Sequence, residues 1–575
     1  MILSGKEGLR GDSLLAMQLP YFSRVFGVLH TLSCQQSPFG RINPQWFRYP
    51  FRRGLAADSR VGLRFQRVLQ HARTPRSLPA LIWKNIKYAT WKIETAFASR
   101  RPRFWNELGR GFAASEHYEE ALACYDQALA IRGDIPQIWS NRGNALRNLA
   151  HLDEAEASLR EALRLKPDFT NAHRNLGRVL VGLGRWEEAA ASVRTALLLE
   201  PELADAHHHL ADILFGLARS TEAQESYRTA LRLQPEHPEL RMKLGTALLL
   251  GGDFGKGWEE FEWRLRTENG VRYLRRFSVP SWNGEVIGDR VLLIHADGGL
   301  GDTIQFCRYV PQIAADARTI VEVQPHLVRL LSPLPGVIEI IARGDRLPSF
   351  DLHCPLMSLP RVVGTTLGNI PSVTPYLEAD RADIAHWRKR LAGLAGLRVG
   401  LCWGGALKTG WGARRSMTLD ALVPLGDISG VQFVSLQKGP QAAEVARPPR
   451  GLQLHDFTEE LDDFADTAAL IDNLDLVISI DTAVAHVAGA LGKPVWLLNC
   501  FGACFRWLQN RDDSPWYPSL RQFRQLIPGD WPSVISRVRG SLQRLVDGDH
   551  SQLRPPMGSS DTFTVPDGPP GREVA

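Results

Sequence analysis

Three clusters of residues in this 575-residue chain have the types and spacing to do chemistry. The first, Asp297–Gly298–Gly299–Leu300–Gly301–Asp302–Thr303, follows an apolar run, Val291–His295. Gly299 and Gly301 at a strand-to-helix turn let the backbone approach a ligand closely. The helix N-terminus beyond them favours negative charge. No third glycine stands in register, so a dinucleotide fingerprint is weak. Asp302, at the carboxyl end of a strand, has two readings: a base that deprotonates an acceptor hydroxyl, or a helix N-cap.

The second cluster, Asp481–Thr482–Ala483–Val484–Ala485–His486, follows the run Leu476–Ile480. Backbone N–H groups at the helix start could hold a diphosphate, and Asp481 could accept hydrogen bonds from sugar hydroxyls. His486 falls one turn on, on the same side. Capping of a buried helix is the alternative. The third cluster is basic. Arg414–Arg415–Ser416 and Gln437–Lys438–Gly439 each follow a strand candidate, where a cation could neutralise a leaving diphosphate without metal; solvated surface charge is the alternative. Asp-x-Asp occurs only at Asp547–Gly548–Asp549, in the Pro/Gly-rich tail, so no carboxylate-bound metal is indicated. His207–His208–His209 cannot converge on one ion, because adjacent helical residues point about 100° apart. Cys500 and Cys504 are a lone Cys-x₃-Cys, so zinc is not expected.

The elements that position these clusters follow from periodicity. Strand candidates are Val291–His295, Thr319–Val323, Val337–Ile341, Val399–Trp403, Gln432–Leu436, Leu476–Ile480 and Val495–Leu498. They alternate with helical patterns in two groups, 285–385 and 396–530, as in doubly wound parallel sheets that bind ligands beyond the carboxyl ends of their strands. Upstream lies a repeat. Trp105, Trp139, His173, His207 and Arg241 stand 34 residues apart. Gly109, Gly143, Gly177, Ala211 and Gly245 follow four places on, then the columns Ala121, Ala155, Ala189, Ala223 and Ala128, Ala162, Ala196, Ala230. Pro167, Pro201 and Pro235 end three units. This period and these small residues resemble the tetratricopeptide repeat, with four full units over 102–237 and a partial fifth from 238. Gly257–Trp258–Glu259–Glu260–Phe261 closes the array with aromatics, and Ser278–Val279–Pro280 reads as a linker.

Composition excludes collagen-like, prion-like and fully disordered classes, at 44% hydrophobic and 23% charged residues. The net charge of +6 conceals an asymmetry. Residues 1–100 hold 16 Lys+Arg against 4 Asp+Glu, leaving 52 basic and 58 acidic residues in the other 475. The first hundred residues read as a poorly ordered basic extension with one helix near 78–98, a membrane-surface segment or a polyanion-binding arm. A nucleic-acid-binding protein acting through this arm predicts salt-dependent association; the mildly acidic body argues against nucleic acid as partner. Seven scattered cysteines, no secretory leader and no 18-residue apolar span point to a reducing cytoplasm without a transmembrane segment.

With the motifs assembled, residues 285–545 resemble the family 9 glycosyltransferases, the superfamily of lipopolysaccharide heptosyltransferases, and in particular its bacterial branch fused to tetratricopeptide repeats. The residues that carry this are Gly299–Leu300–Gly301–Asp302–Thr303–Ile304–Gln305–Phe306–Cys307–Arg308–Tyr309, Phe433–Val434–Ser435–Leu436–Gln437–Lys438–Gly439, Asp466–Thr467–Ala468–Ala469–Leu470–Ile471, the block from Asp481 to Trp496, and Asp513–Ser514–Pro515–Trp516–Tyr517–Pro518. The resemblance implies an α-helical tetratricopeptide solenoid followed by an α/β GT-B fold of two Rossmann-like domains. The expected division is a basic extension (1–101), repeats (102–271), an acceptor-side domain (272–390), a nucleotide-sugar domain (391–546) and a disordered tail (547–575). The implied enzyme is a metal-independent transferase with no permanently bound cofactor and a nucleotide-diphosphate sugar as donor. Asp302 falls at the family's proposed catalytic base. Gly299, Gly301, Arg415, Ser416, Lys438, Asp481, Thr482 and His486 fall on the donor side. The repeats would recruit a protein or peptide, an arrangement similar in architecture to the protein O-GlcNAc transferases. Two blocks depart from the family. A Gly-Asn-Pro-x-His-x-Asn-Asp-like loop reads here Gly405–Ala406–Leu407–Lys408–Thr409–Gly410–Trp411–Gly412, and Asp-Trp-Arg-Trp reads Cys504–Phe505–Arg506–Trp507. The first departure supports an alternative, a catalytically inactive repeat scaffold on a transferase-like fold.

Overall fold

The computed structural model describes residues 100–555, apart from 274, 276, 406–409 and 503. The expectations for residues 1–99, and for residues 406–409 of the altered loop, lie outside the described residues.

The chain divides into two compact units, 1–183 and 184–575. The described part of the first unit is helical: α1 (Pro102–Ala114), α2 (Tyr118–Ile131), α3 (Pro136–Asn148), α4 (Leu152–Leu165) and α5 (Thr170–Gly182). Proline occupies the first turn of α1 and α3, where its missing N–H costs nothing. Acidic residues open α2 and α4, Glu119–Glu120 and Asp153–Glu154, against the positive helix end. The small-residue columns bring paired helices together. A Cβ on Gly109 would stand 2.7 Å from the Tyr125 ring, and one on Gly143 2.7 Å from Leu159.

The second unit continues the 34-residue rhythm: α6 (Trp186–Leu199), α7 (Ala204–Gly216), α8 (Ser220–Leu233), α9 (Pro238–Leu250) and α10 (Phe254–Phe261). The fifth pair, expected to be partial, is complete with a short second helix. Helices α4, α6 and α8 end at Leu165, Leu199 and Leu233, two residues before the proline column. One column escapes pattern reading. The residue turning each first helix into its second is left-handed: Glu116 (φ 62°), Ala150 (62°), Gly184 (77°), Ala218 (59°) and Gly252 (88°). Only two are glycine, so repeat packing imposes the turn on three residues that disfavour it.

Beyond the repeats lie two wholly parallel sheets. The first contains β1 (Val291–His295), β2 (Arg318–Val323), β3 (Val337–Ala342) and β4 (Leu352–Pro355), in the order β3-β2-β1-β4. The second contains β5 (Leu397–Cys402), β6 (Val431–Ser435), β7 (Leu454–His455), β8 (Leu476–Ile480), β9 (Val495–Asn499) and β10 (Leu520–Arg524), in the order β10-β9-β8-β5-β6-β7. Strand order reverses around β1 and around β5, which places a crevice at their carboxyl ends. The helices that matter for the site are α11 (Leu300–Phe306), α12 (Arg381–Arg390), α13 (Phe464–Asp472), α14 (Ala483–Ala490) and α15 (Trp531–Val546). Helices α11 and α14, one from each sheet, pack directly on each other. A Cβ on Gly301 would lie 2.8 Å from the His486 ring, so only glycine allows this approach.

The closing aromatics do more than end the array. Trp258 packs edge-on against Phe306 and Phe505, and Phe254 stacks on Trp516, so α10 shares a core with both sheets. Residues 278–280 are not a free linker. His353 N–H donates to the Pro280 carbonyl (3.2 Å) and Trp282 N–H to the His353 carbonyl (2.8 Å), which straps the segment to β4. The expected disordered tail starts too early at 547. Asp549 caps a turn at His550–Leu553, and the Gln552 carbonyl accepts from the Trp496 indole at 3.0 Å. This turn thus satisfies the buried Trp496 indole N–H.

Candidate functional site

The first loop sits at the end of β1. Gly299 is the N-cap of α11 and Asp302 its third residue, so the cap reading of Asp302 is corrected by three positions. Asp302 Oδ2 accepts from Gly299 N–H at 2.7 Å, and Oδ1 pairs with the Arg506 guanidinium from the loop after β9. Asp302 thus holds its own loop with one oxygen and reaches the second sheet with the other, at 22% side-chain exposure. The loop is fixed from behind by Asp297. Its Oδ2 accepts from Arg264 (2.7 Å) and its Oδ1 from Met357 N–H (2.9 Å), while Gln324 Nε2 donates to the Gly298 carbonyl (3.0 Å). Arg264 also donates to Ser358 Oγ (2.8 Å) and Glu262 (2.7 Å). The last turn of the repeat region therefore holds the glycine-rich loop.

In the second sheet Asp481 directly follows β8 and Thr482 caps α14 through backbone geometry alone. Thr482 Oγ1 meets Ser479 Oγ at 3.1 Å. Asp481 Oδ2 lies 3.4 Å from Arg415, and Oδ1 3.9 Å from His486 Nε2. His486 is buried, stacked on Trp507 with ring centroids 5.2 Å apart, and its Nδ1 pairs with the Tyr517 hydroxyl at 2.8 Å. Burial, and then Arg506, Arg308 and Arg415, holds its pKa well below the ordinary histidine value. The imidazole is thus neutral, a hydrogen-bonding wedge between α11 and α14 rather than a cation. Beneath it Arg308, buried without a carboxylate partner, donates to the carbonyls of Gln305, Pro371 and Trp516 and to Tyr376 Oη, and lies under the rings of Tyr376 and Tyr517.

The basic residues divide. Arg415 lies over Gly405 and faces Asp481; its Nε is buried without a partner. Ser416 Oγ accepts from Gly405 N–H (3.0 Å) and donates to the Gly412 carbonyl (2.7 Å), closing this loop. Lys438 is turned away: its ammonium donates to the carbonyls of Thr458 (2.7 Å) and Leu461 (3.0 Å). Its place in the crevice is taken by Arg506, which sequence reasoning noted only as part of a divergent block. Arg506 pairs with Asp302, donates to Cys504 Sγ at 2.7 Å, and is drawn toward Asp481 as well. Two guanidiniums and two carboxylates from the loops after β1, β5, β8 and β9 therefore meet between the sheets. The repeats reach these loops too. Arg414 lies 4.4 Å over the Trp186 ring, and Gln509 accepts from Ser220 Oγ (2.8 Å) and donates to the Ala218 carbonyl (3.1 Å).

Among the described residues, no group of three or more His, Cys, Asp or Glu is gathered to hold a metal ion. His207 faces the Pro201 carbonyl (2.8 Å) and His208 the Lys243 ammonium (2.9 Å), while the His208 and His209 rings stack with centroids 5.9 Å apart. Cys500 and Cys504 are free thiols; burial pushes that of Cys500 up to about 12.

A second buried histidine gives a measurable consequence. His295 Nε2 meets His353 Nδ1 at 3.2 Å, and burial followed by His353 and Arg343 lowers its pKa to about 3. Unfolded, it titrates near the usual value of about 6.5. The folded pKa is depressed, so the fold is favoured above about pH 6.5 and loses stability as pH falls toward 3, by about 1.4 kcal/mol per pH unit. The melting temperature is expected to fall steadily between pH 6.5 and 4.5. His295→Asn is expected to flatten that slope, and an unchanged slope would contradict this origin.

Comparison with known proteins agrees with these elements. Residues 102–134, and 140–257 in three overlapping matches (140–207, 174–223 and 208–257), match tetratricopeptide repeat models. Residues 460–503 match the model of glycosyltransferase family 9 (heptosyltransferase). That stretch contains α13, β8, α14 and β9, with Asp481, Thr482 and His486. A curated relative, Protein FlbA of Caulobacter vibrioides, is 28% identical over 324 residues, covering 52% of this chain and 54% of FlbA. The chain thus spans about half the length of that relative. Among solved structures, MamA protein is 17% identical, with a TM-score of 0.27, covering 31% of this chain and 97% of its own. YrrB, described as a TPR protein with an unusual peptide-binding site, is 18% identical, with a TM-score of 0.27, covering 31% and 92%. The chain carries tetratricopeptide repeats followed by a segment of family 9 glycosyltransferase type.

Proposed function

We propose that this chain is a glycosyltransferase of GT-B architecture that moves a sugar from a nucleotide-diphosphate sugar to an acceptor hydroxyl, with its repeats recruiting a protein or peptide. The observation that supports this most is the meeting of Asp302, Arg506, Arg415 and Asp481 between two parallel sheets, at the ends of strands where strand order reverses.

In this reading the acceptor oxygen bonds to the anomeric carbon, its proton passes to Asp302, and the bond from that carbon to the diphosphate oxygen breaks. A positioned base contributes about 10²–10⁴-fold. Charge grows on the leaving diphosphate, where Arg415, Arg506 and the N–H groups opening α14 are the donors at hand. Asp481 would accept from donor hydroxyls, and Ser416 and Gln437 would hold the loops around them. Gln437 Oε1 accepts from Trp403 N–H (3.0 Å) and Gly404 N–H (2.7 Å). The donor is a substrate, and no resident cofactor is proposed. No described helix is long and apolar enough to cross a membrane. The supply of nucleotide sugars and the free buried thiols fit a cytoplasmic setting.

One observation favours the alternative of an inactive scaffold: both oxygens of Asp302 are already engaged. The two readings separate when the full-length protein is incubated with UDP-, ADP- and GDP-sugars, with and without proteins captured by its repeats as acceptor, and nucleotide release is followed. A transferase releases nucleotide from at least one of them above the buffer rate. A scaffold releases it from none.

A further inference from the structure

The Asp302–Arg506 pair is the contact that joins the loop after β1 to the loop after β9, and it leaves Arg506 poorly satisfied. A guanidinium has five N–H donors arranged for planar, bidentate anions. Here it has one carboxylate oxygen, the Cys504 sulfur, which is a weak acceptor, and an Nε that is buried without a partner. Arg415, the second cation of the crevice, also has a buried Nε without a partner and sits 3.4 Å from its carboxylate. Two under-satisfied guanidiniums on neighbouring loops suit a diphosphate, whose oxygens can take both forks.

We infer that Arg506 is the principal diphosphate-binding cation of this site and that Asp302 holds it until the diphosphate arrives. The inference rests on the transferase reading above and adds an order of events to it. A diphosphate competes with Asp302 for Arg506. When it wins, Oδ1 of Asp302 is released while Oδ2 still caps Gly299, so the freed oxygen becomes available to an acceptor hydroxyl only once donor is in place.

The consequence is opposite in sign for the two partners. Removing the carboxylate should improve diphosphate binding, and removing the guanidinium should weaken it. The test titrates inorganic pyrophosphate into the full-length protein and its variants by calorimetry. Asp302→Asn, which keeps the shape and the cap acceptor, is expected to bind pyrophosphate about tenfold more tightly than the parent, equivalent to about 1.4 kcal/mol. Arg506→Gln is expected to bind it at least tenfold more weakly, with Arg506→Lys between. Unchanged or weaker binding by Asp302→Asn overturns the inference, and it does so even if the Arg506 variants fail to fold. Parental affinity in a folded Arg506→Gln also overturns it. The underlying reading fails separately. Nucleotide sugars turned over with no gain in Asp302→Asn sinks only the ordering of events. The expected signs with no sugar nucleotide turned over leave the anion site standing and sink the transferase.

Discussion

Asp302→Asn is expected to lower the rate of nucleotide release by about 10²–10⁴-fold, the usual contribution of a positioned base. The substitution is nearly isosteric. Its amide oxygen can still accept from Gly299 N–H, so α11 keeps its cap and the loop its path. What disappears is the group able to take a proton from the acceptor. The change leaves α11 and its packing on α14 in place, but Arg506 loses its carboxylate, so the melting temperature is expected to fall as well and the rate is compared below the variant's own transition. The measurement is a steady-state assay on the full-length protein with whichever nucleotide sugar it turns over. A loss under threefold would remove Asp302 from the chemistry and leave it a cap and an ion-pair partner.

The second large effect concerns stability. Arg264 and Asp297 have side chains 11% and 6% exposed, so their 2.7 Å pair is largely withdrawn from water. Arg264→Met leaves the Asp297 carboxylate with only the Met357 N–H, and strips Glu262 and Ser358 of their shared partner. Breaking a buried pair from one side costs about 3–5 kcal/mol, because a charge stays behind without compensation. The unit has several cores, so the effect should appear as an early transition in urea rather than a uniform shift. Arg264→Lys keeps the charge and should cost less. If Arg264→Met unfolds with the parent, the repeat region does not hold the glycine-rich loop.

The repeats were the most legible part of the sequence. A 34-residue period with alanine at Ala121, Ala155, Ala189 and Ala223 has one physical meaning, close helix pairing, and those alanines are fully buried. Strand candidates with continuous apolar runs fall within two residues of the observed strands. The strands that escaped reading lack that run. β7 is two residues long, β4 is four, and β10 reads Leu-Arg-Gln-Phe-Arg at a sheet edge. Spacing placed Asp302, Arg415 and Asp481 at strand ends, and the fold brings them into one crevice. It could not say where a long side chain turns. Lys438 and Arg506 look alike as cations after strands, yet only the second enters the crevice. The signal that would have singled out Arg506 is its company: a cation beside a cysteine rather than a carboxylate has to find its counterion elsewhere. The left-handed turn column stayed hidden because Glu116, Ala150 and Ala218 carry no turn chemistry of their own.

In the transferase reading, the second sheet binds a nucleotide diphosphate beside Asp481. This binding is tested most directly by a thermal titration of the full-length protein with UDP, ADP and GDP and their sugar conjugates. A ligand at ~100 times its dissociation constant adds about 2.7 kcal/mol to the folded state, a readily measured shift. One of these nucleotides is expected to raise the melting temperature, and Asp481→Ala to abolish the rise. A cooperative melt that none of these ligands moves would contradict it.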